Sequence, residues 1–289
     1  MREPIVIDAH SSYVLGLLFT VDSRTLISAG MDNVVKLWSV SDWTLIRALE
    51  AHSHSVNSIA LSPDGDTLVT GSSDKTVKLW SFPDLALLHT LQDRKQVVSS
   101  VAVSRDGRWV CAGSYGGRAA LWTLQGEPVA GIKASKKNLS SVAISPDGST
   151  LATSGLGDDI QLWSLPAGDP VGTLSGHKVA VGSLTYLDQG STLVSMGYEG
   201  TIRFWDTSTG REKGVVSLDP GARGLAVSPD GKRGLLSLEG KVQLYRLEPW
   251  ELELELSIPT RSIGGMAFSP DGVWLAVGSA DRKIRVWAW

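Results

Sequence analysis

SPDGDTLVTGSSDKTVKLW, residues 62–80, decides the fold, because versions of it recur along the whole chain at nearly constant spacing. Its last residue belongs to the series Trp38, Trp80, Trp122, Trp163, Trp205, Tyr245 and Trp287, with steps of 42, 42, 41, 42, 40 and 42 residues. A period near 42 marks a repeat architecture and outranks any residue-by-residue assignment. In the second repeat, residues 56–61 read as a strand ended by the Ser62-Pro63-Asp64-Gly65 reversal. Residues 67–71, 76–81 and 85–91 read as three more strands, with Ser72-Ser73-Asp74-Lys75 as the second reversal. No stretch carries a long helical period, which excludes βαβ units and helical solenoids.

Seven four-stranded meanders stacked in a line would leave two exposed edges, whereas a radial arrangement buries their faces against one another. The seventh unit stops at Trp289 after its third strand, and the chain begins with a spare one. Ile7 precedes His10 by three residues, as Leu49 precedes His52 and Leu174 precedes His177, which puts residues 4–7 in register with the fourth strand of other units. The sequence therefore predicts an all-β, seven-bladed β-propeller of four-stranded antiparallel blades. Residues 1–289 read as a single, monomeric domain, with residues 3–8 supplying the outer strand of the last blade and closing the ring.

The turns SPDG at 62–65, 145–148, 228–231 and 269–272, SRDG at 104–107, the Ala-His and Gly-His pairs, and the Asp-x5-Trp spacing together resemble the WD40-repeat propellers over residues 3–289. The aspartate that follows the tryptophan in that family appears here only as Asp206; Ser39, Ser81, Thr123, Ser164 and Ala288 replace it. That position lies at a surface turn, so the departure leaves the fold expectation intact.

His52, Thr70, Asp74 and Trp80 include the base, hydroxyl and acid of a nucleophilic triad. The set recurs as His10, Ser28, Asp32 and Trp38, and as His177, Ser195, Glu199 and Trp205. An active site does not need three copies. The resemblance implies an internal hydrogen-bond chain from tryptophan to hydroxyl to imidazole to carboxylate, each bond contributing about 0.5–1.5 kcal/mol. The other repeats lack the full set. The third has Arg94, Ala112 and Gly116 at these positions, and the fourth has Ser135, Thr153 and Gly157, with Asp158 displaced by one residue. The sixth has Tyr245 for tryptophan and keeps Glu239, and the seventh keeps Asp281 and Trp287. Repeats three, four and six are expected to be the least regular.

Composition narrows the function. A net charge of -3 gives no global basic field for nucleic acid or an anionic membrane. The lone cysteine, Cys111, sits in an apolar run and reads as a buried small hydrophobe, compatible with a reducing cytoplasm. The N-terminal segment lacks the apolar core of a signal peptide, and no apolar run is long enough to span a bilayer. No phosphate-binding loop, zinc-protease or nucleophile-elbow motif occurs, and the sequence calls for neither a cofactor nor a metal. His52-x-His54 could offer two imidazoles to a metal, but His52 already belongs to a tetrad. Glu251, Glu253 and Glu255 alternate with leucines and read as an outer strand protected from pairing with another chain.

The resemblance further implies partner binding at loops just after the histidine position and just before the Asp position. Counting three and five residues past the first, and one before the second, projects Tyr13, Leu15 and Met31, then Ser55, Asn57 and Ser73, then Val97, Ser99 and Tyr115. Asn138, Ser140, Tyr198, Arg223 and Leu238 follow. Exposed Tyr, Met and Arg are typical interface anchors. Arg94, Lys95, Lys133, Lys136 and Lys137 fall beside the connections into the third and fourth repeats, either as a basic patch for an acidic or phosphorylated segment or as a solvated cluster. The reading is a non-enzymatic scaffold for a protein or peptide. The alternatives are a small-molecule sensor or enzyme using the central channel, and a propeller module of a larger protein.

Overall fold

The computed structural model describes residues 3–93, 95–157, 159–218 and 221–289. Arg94 and Asp158 lie outside the described residues. The chain is an all-β, seven-bladed propeller fold, in which each repeat forms one four-stranded antiparallel sheet with its strands in sequence order. The last sheet is the exception that the N-terminus predicted. Its order is Ile263–Phe268, Trp274–Ser279 and Lys283–Ala288, completed by Ile5–Asp8 at the edge. Ile5 pairs with Val286 and Ile7 with Ile284, and Lys283 forms an ion pair with Asp8. The N-terminal strand thus belongs to the sheet of the last repeat.

In the second repeat the strands are Val56–Leu61, Thr67–Ser72, Val77–Ser81 and Leu87–Leu91. The fourth begins two residues later than expected. Leu85, at φ +56°, donates its N–H to the Ser81 carbonyl at 2.7 Å and buries its side chain in a turn.

The Ser-Pro-Asp-Gly reversals share one mechanism. The Ser62 hydroxyl donates to Asp64, which also accepts the Asp66 N–H at 3.0 Å, while Ser62 Oγ receives the Thr67 N–H at 2.9 Å. Gly65 adopts φ +82°, a conformation that a side chain disfavours. Serine hydroxyls and then backbone N–H groups hold Asp64, Asp147 and Asp230 below the usual carboxylate range. Thr20-Val21-Asp22-Ser23 makes the same turn without proline or glycine, the Thr20 hydroxyl donating to Asp22 at 2.6 Å. The sequence reading did not identify it.

The chain divides into two compact units, residues 1–59 with 224–289, and residues 60–223. In the first, Val14, Leu17, Leu26 and Trp38 pack with Ile7, Ala276, Ile284 and Val286, so the completed seventh sheet and the first sheet share a core. In the second, Leu79, Val98, Val101, Val110 and Trp122 join one pair of sheets, and Leu121, Leu139, Val142 and Leu151 the next. A Cβ on Gly71 would lie 2.6 Å from Val98 Cγ1, and one on Gly113 would lie 2.7 Å from Val142 Cγ1. Glycine there lets the neighbouring inner strand close up. Ser100 Oγ accepts the Val142 N–H at 3.3 Å and Ser141 Oγ accepts the Leu184 N–H at 3.2 Å, adding polar ties between successive sheets.

These ties bear on the expectation that repeats three, four and six would be least regular. The third and fourth keep strand lengths and register like those of the first. In the sixth, the inner strand Gly224–Val227 spans 4 residues and the outer strand Trp250–Ser257 spans 8. The seventh skips two residues between Ile263 and Met266. Neighbour packing, rather than the tetrad, keeps the third and fourth regular.

Candidate functional site

The polar tetrads grow from the second and third strands, whose pairing sets a hydroxyl ten residues before the tryptophan beside its indole. In the first repeat, Trp38 Nε1 donates to Ser28 Oγ at 2.9 Å, Ser28 Oγ lies 2.8 Å from His10 Nε2, and His10 Nδ1 lies 2.9 Å from Asp32 Oδ1. One proton arrangement satisfies every atom: Ser28 donates to Nε2, and Nδ1–H donates to the carboxylate. Burial lowers the pKa of His10 despite the Asp32 charge. The contact is therefore a hydrogen bond from a neutral imidazole, not an ion pair. Burial opposes the Asp32 carboxylate, yet His10 and the Ser11 N–H bring its pKa below the ordinary value.

The fifth repeat repeats the geometry. Trp205 Nε1 donates to Ser195 Oγ at 2.8 Å, Ser195 Oγ lies 2.7 Å from His177 Nε2, and His177 Nδ1 lies 2.5 Å from Glu199 Oε1. Burial again lowers the histidine pKa. In the second repeat Trp80 Nε1 donates to Thr70 Oγ1 at 3.0 Å, the Asp74 carboxylate accepts from Thr76, and His52 is buried. Among the described residues the fourth keeps the tryptophan-to-hydroxyl bond, Trp163 Nε1 to Thr153 Oγ1 at 3.0 Å.

Sequence reasoning missed the seventh repeat's equivalent. The Ser279 hydroxyl donates to Asp281 at 2.6 Å, and the buried Arg285 guanidinium donates to Ser279 at 3.1 Å and to Asp281 at 2.6 Å. Arg285 lies two residues before its tryptophan, where Lys36 and Lys78 stand over Trp38 and Trp80 in their repeats. An arginine at this lysine position, with Ser-x-Asp just upstream, was the available signal. The Glu251, Glu253 and Glu255 strand likewise proves to be an ion-pair ladder. Arg246 joins Glu251 and Glu253 at 3.1 and 3.0 Å, Arg233 joins Glu253 at 2.6 Å, and Lys241 joins Glu255 at 2.9 Å.

The projected loop residues sort by environment. Tyr115 and Tyr198 expose 45% and 46% of their surface, Met31 exposes 47%, and Arg223 is exposed. Tyr13, Leu15, Ser55, Asn57, Ser73, Val97, Ser99, Asn138 and Ser140 are half-buried. Leu238 corrects the projection, being 5% exposed. The Glu239-Gly240 turn is one residue tighter than its counterparts, so the strand Arg233–Leu238 runs on to pair Leu238 with Lys241 and turns its side chain inward. Leu156 was missed because Asp158 is displaced, but it stands seven residues before Trp163, as Tyr115 does before Trp122, and is 48% exposed.

One backbone device presents these side chains. Met31 donates its N–H to Tyr13 O at 2.8 Å, Tyr115 to Val97 O at 2.9 Å, Leu156 to Asn138 O at 2.9 Å and Tyr198 to Ala180 O at 3.0 Å. Each bond pins the residue after the second strand to the connection that enters the sheet. Of the expected basic cluster, Lys95, Lys133, Lys136 and Lys137 are exposed, and Lys133 Nζ donates to Gly116 O at 2.5 Å.

Among the described residues no three His, Cys, Asp or Glu side chains gather as a metal site, and no helix is long and apolar enough to cross a membrane. Burial pushes the Cys111 thiol up to about 12, which keeps it protonated. No curated protein matches the chain. Residues 13–220 match the family described as IFT122 first beta-propeller, and residues 251–288 match the WD domain, G-beta repeat. With the seven four-stranded blades, these matches show that the chain belongs to the WD40-repeat propellers, within the IFT122 first beta-propeller family.

Proposed function

We propose that this protein is a non-enzymatic scaffold that binds a protein or peptide partner through the loops following the second strand of the third, fourth and fifth repeats. The observation that carries the reading is the exposure of Tyr115, Leu156 and Tyr198 from three successive repeats of one compact unit, each held by the same backbone hydrogen bond. Large side chains fixed on a rigid frame lose little entropy on binding, which suits them as anchors. The tetrads read as structural: their histidines are buried, burial keeps His10 and His177 neutral, and their hydroxyls are engaged by tryptophan. WD40 propellers are in general non-enzymatic interaction domains, and the family match supports that reading here.

The test is affinity capture from native lysate with the wild type and a folded Tyr115→Ala/Leu156→Ala/Tyr198→Ala variant, followed by identification of the captured proteins. A partner held by the wild type and lost by the variant supports the reading. Identical captures by both proteins overturn this placement of the surface. Because the matching family is described as a first propeller, we also propose that this fold serves as one module of a larger protein. The protonated, buried Cys111 fits a cytoplasmic setting.

A further inference from the structure

We infer that the loops of the third and fourth repeats bind an acidic peptide segment carrying several aspartate or glutamate side chains. The inference rests on the scaffold reading above, since Tyr115 belongs to both surfaces. Three connections meet here and are tied by hydrogen bonds. Tyr115 N–H donates to Val97 O at 2.9 Å, Ser135 N–H to Gly117 O at 2.9 Å, and Gly116 N–H to Asn138 Oδ1 at 2.9 Å. Lys133 Nζ adds its bond to Gly116 O. Lysines far apart in sequence are thereby displayed on one frame.

Lys95, Lys136 and Lys137 are exposed and, among the described residues, form no ion pair. Asp93, on the same connection as Lys95, is paired with Arg118 at 2.8 Å. Even with Asp158 and Asp159 on the following connection, Arg94, Lys95, Lys133, Lys136 and Lys137 leave these segments positive in sequence. A surface of this sign attracts anionic partners and speeds their association.

The donors present choose the kind of anion. A phosphate is held best by convergent backbone N–H groups or by an arginine fork. Here Gly116 N–H is engaged by Asn138, Lys137 N–H donates to Ser135 Oγ at 3.0 Å, and Arg118 is engaged by Asp93. Among the described residues the remaining cations are ammonium groups on long stems, on two separate loops. Such point charges match carboxylates spaced along a chain, and the exposed Tyr115 ring offers a surface for their apolar stems.

Fluorescence anisotropy with a labelled polyglutamate peptide tests this on the full chain. Binding should weaken as salt rises, and Lys95→Glu/Lys136→Glu/Lys137→Glu should lower affinity about tenfold or more. The same charge change at the exposed Lys75, Lys178 and Lys232 serves as control and should leave most of the affinity, with circular dichroism checking both folds. Equal losses in the two variants, no loss in either, or no binding at all would overturn the proposal. So would tighter binding of a phosphoserine peptide of equal net charge, or of phosphatidylserine vesicles. The lysate experiment separates the two readings: a partner lost on removing Tyr115, Leu156 and Tyr198 keeps the scaffold even if polyglutamate fails to bind.

Discussion

His10 and His177 are histidines that folding keeps neutral, and this links them to pH. Both have pKa values lowered from 6.5, chiefly by burial. Between the folded value and 6.5 the unfolded chain binds protons that the folded chain does not, so stability rises with pH across that window. Their contribution is present above 6.5 and is lost as pH falls through the lowered folded values. The urea midpoint should therefore drop between pH 7.5 and pH 5.5, and a His10→Gln/His177→Gln variant, less stable at the higher pH, should show a flatter profile. An identical slope in both proteins would refute the link. These residues were legible in the sequence because repetition exposed them. Arg285 was not, since its role depends on a buried guanidinium turning toward Ser279 and Asp281, and strand alternation alone does not fix that rotamer.

At the scale of the strand, a recurring irregularity accounts for four of the exposed apolar residues. Leu37 pairs with Arg47 but Trp38 with Leu45, so Ile46 is skipped; Leu88, Val129 and Val171 are skipped in the same way. These four bulge residues are 55%, 46%, 37% and 58% exposed. A bulge on an outer strand interrupts the row of free backbone groups that another chain could pair with. Ile46→Lys and Val171→Lys should each change stability by no more than about 0.5 kcal/mol, whereas Leu79→Ala, in a fully buried strand position, should cost about 2–5 kcal/mol. Chemical denaturation checks both. The period of the repeat and the turns were readable because proline, aspartate and glycine mark reversals locally. The bulges were not, because a one-residue slip against a partner strand leaves no mark in either strand alone.

Across the whole molecule, the shared seventh sheet makes the N-terminus a structural part of the last repeat. Ile7 is 8% exposed and belongs to the same core as Ile284 and Val286. Truncation through Asp8 should lower the melting temperature by several degrees and open the edge of Lys283–Ala288. A scanning calorimetry trace unchanged by the truncation would show that the strand adds nothing. This feature was anticipated from the Ile7 to His10 spacing, whereas the inward turn of Leu238 needed the tighter sixth-repeat hairpin to be seen. Shared strands also set a clock. Asp8 and its partner Lys283 stand 275 residues apart, so at roughly 5–20 residues per second a ribosome needs on the order of 14–55 s to supply the second after the first. Throughout that interval Ile5–Asp8 lacks its native partner strand, so the last repeat's sheet is completed by the oldest and the newest segments of the growing chain.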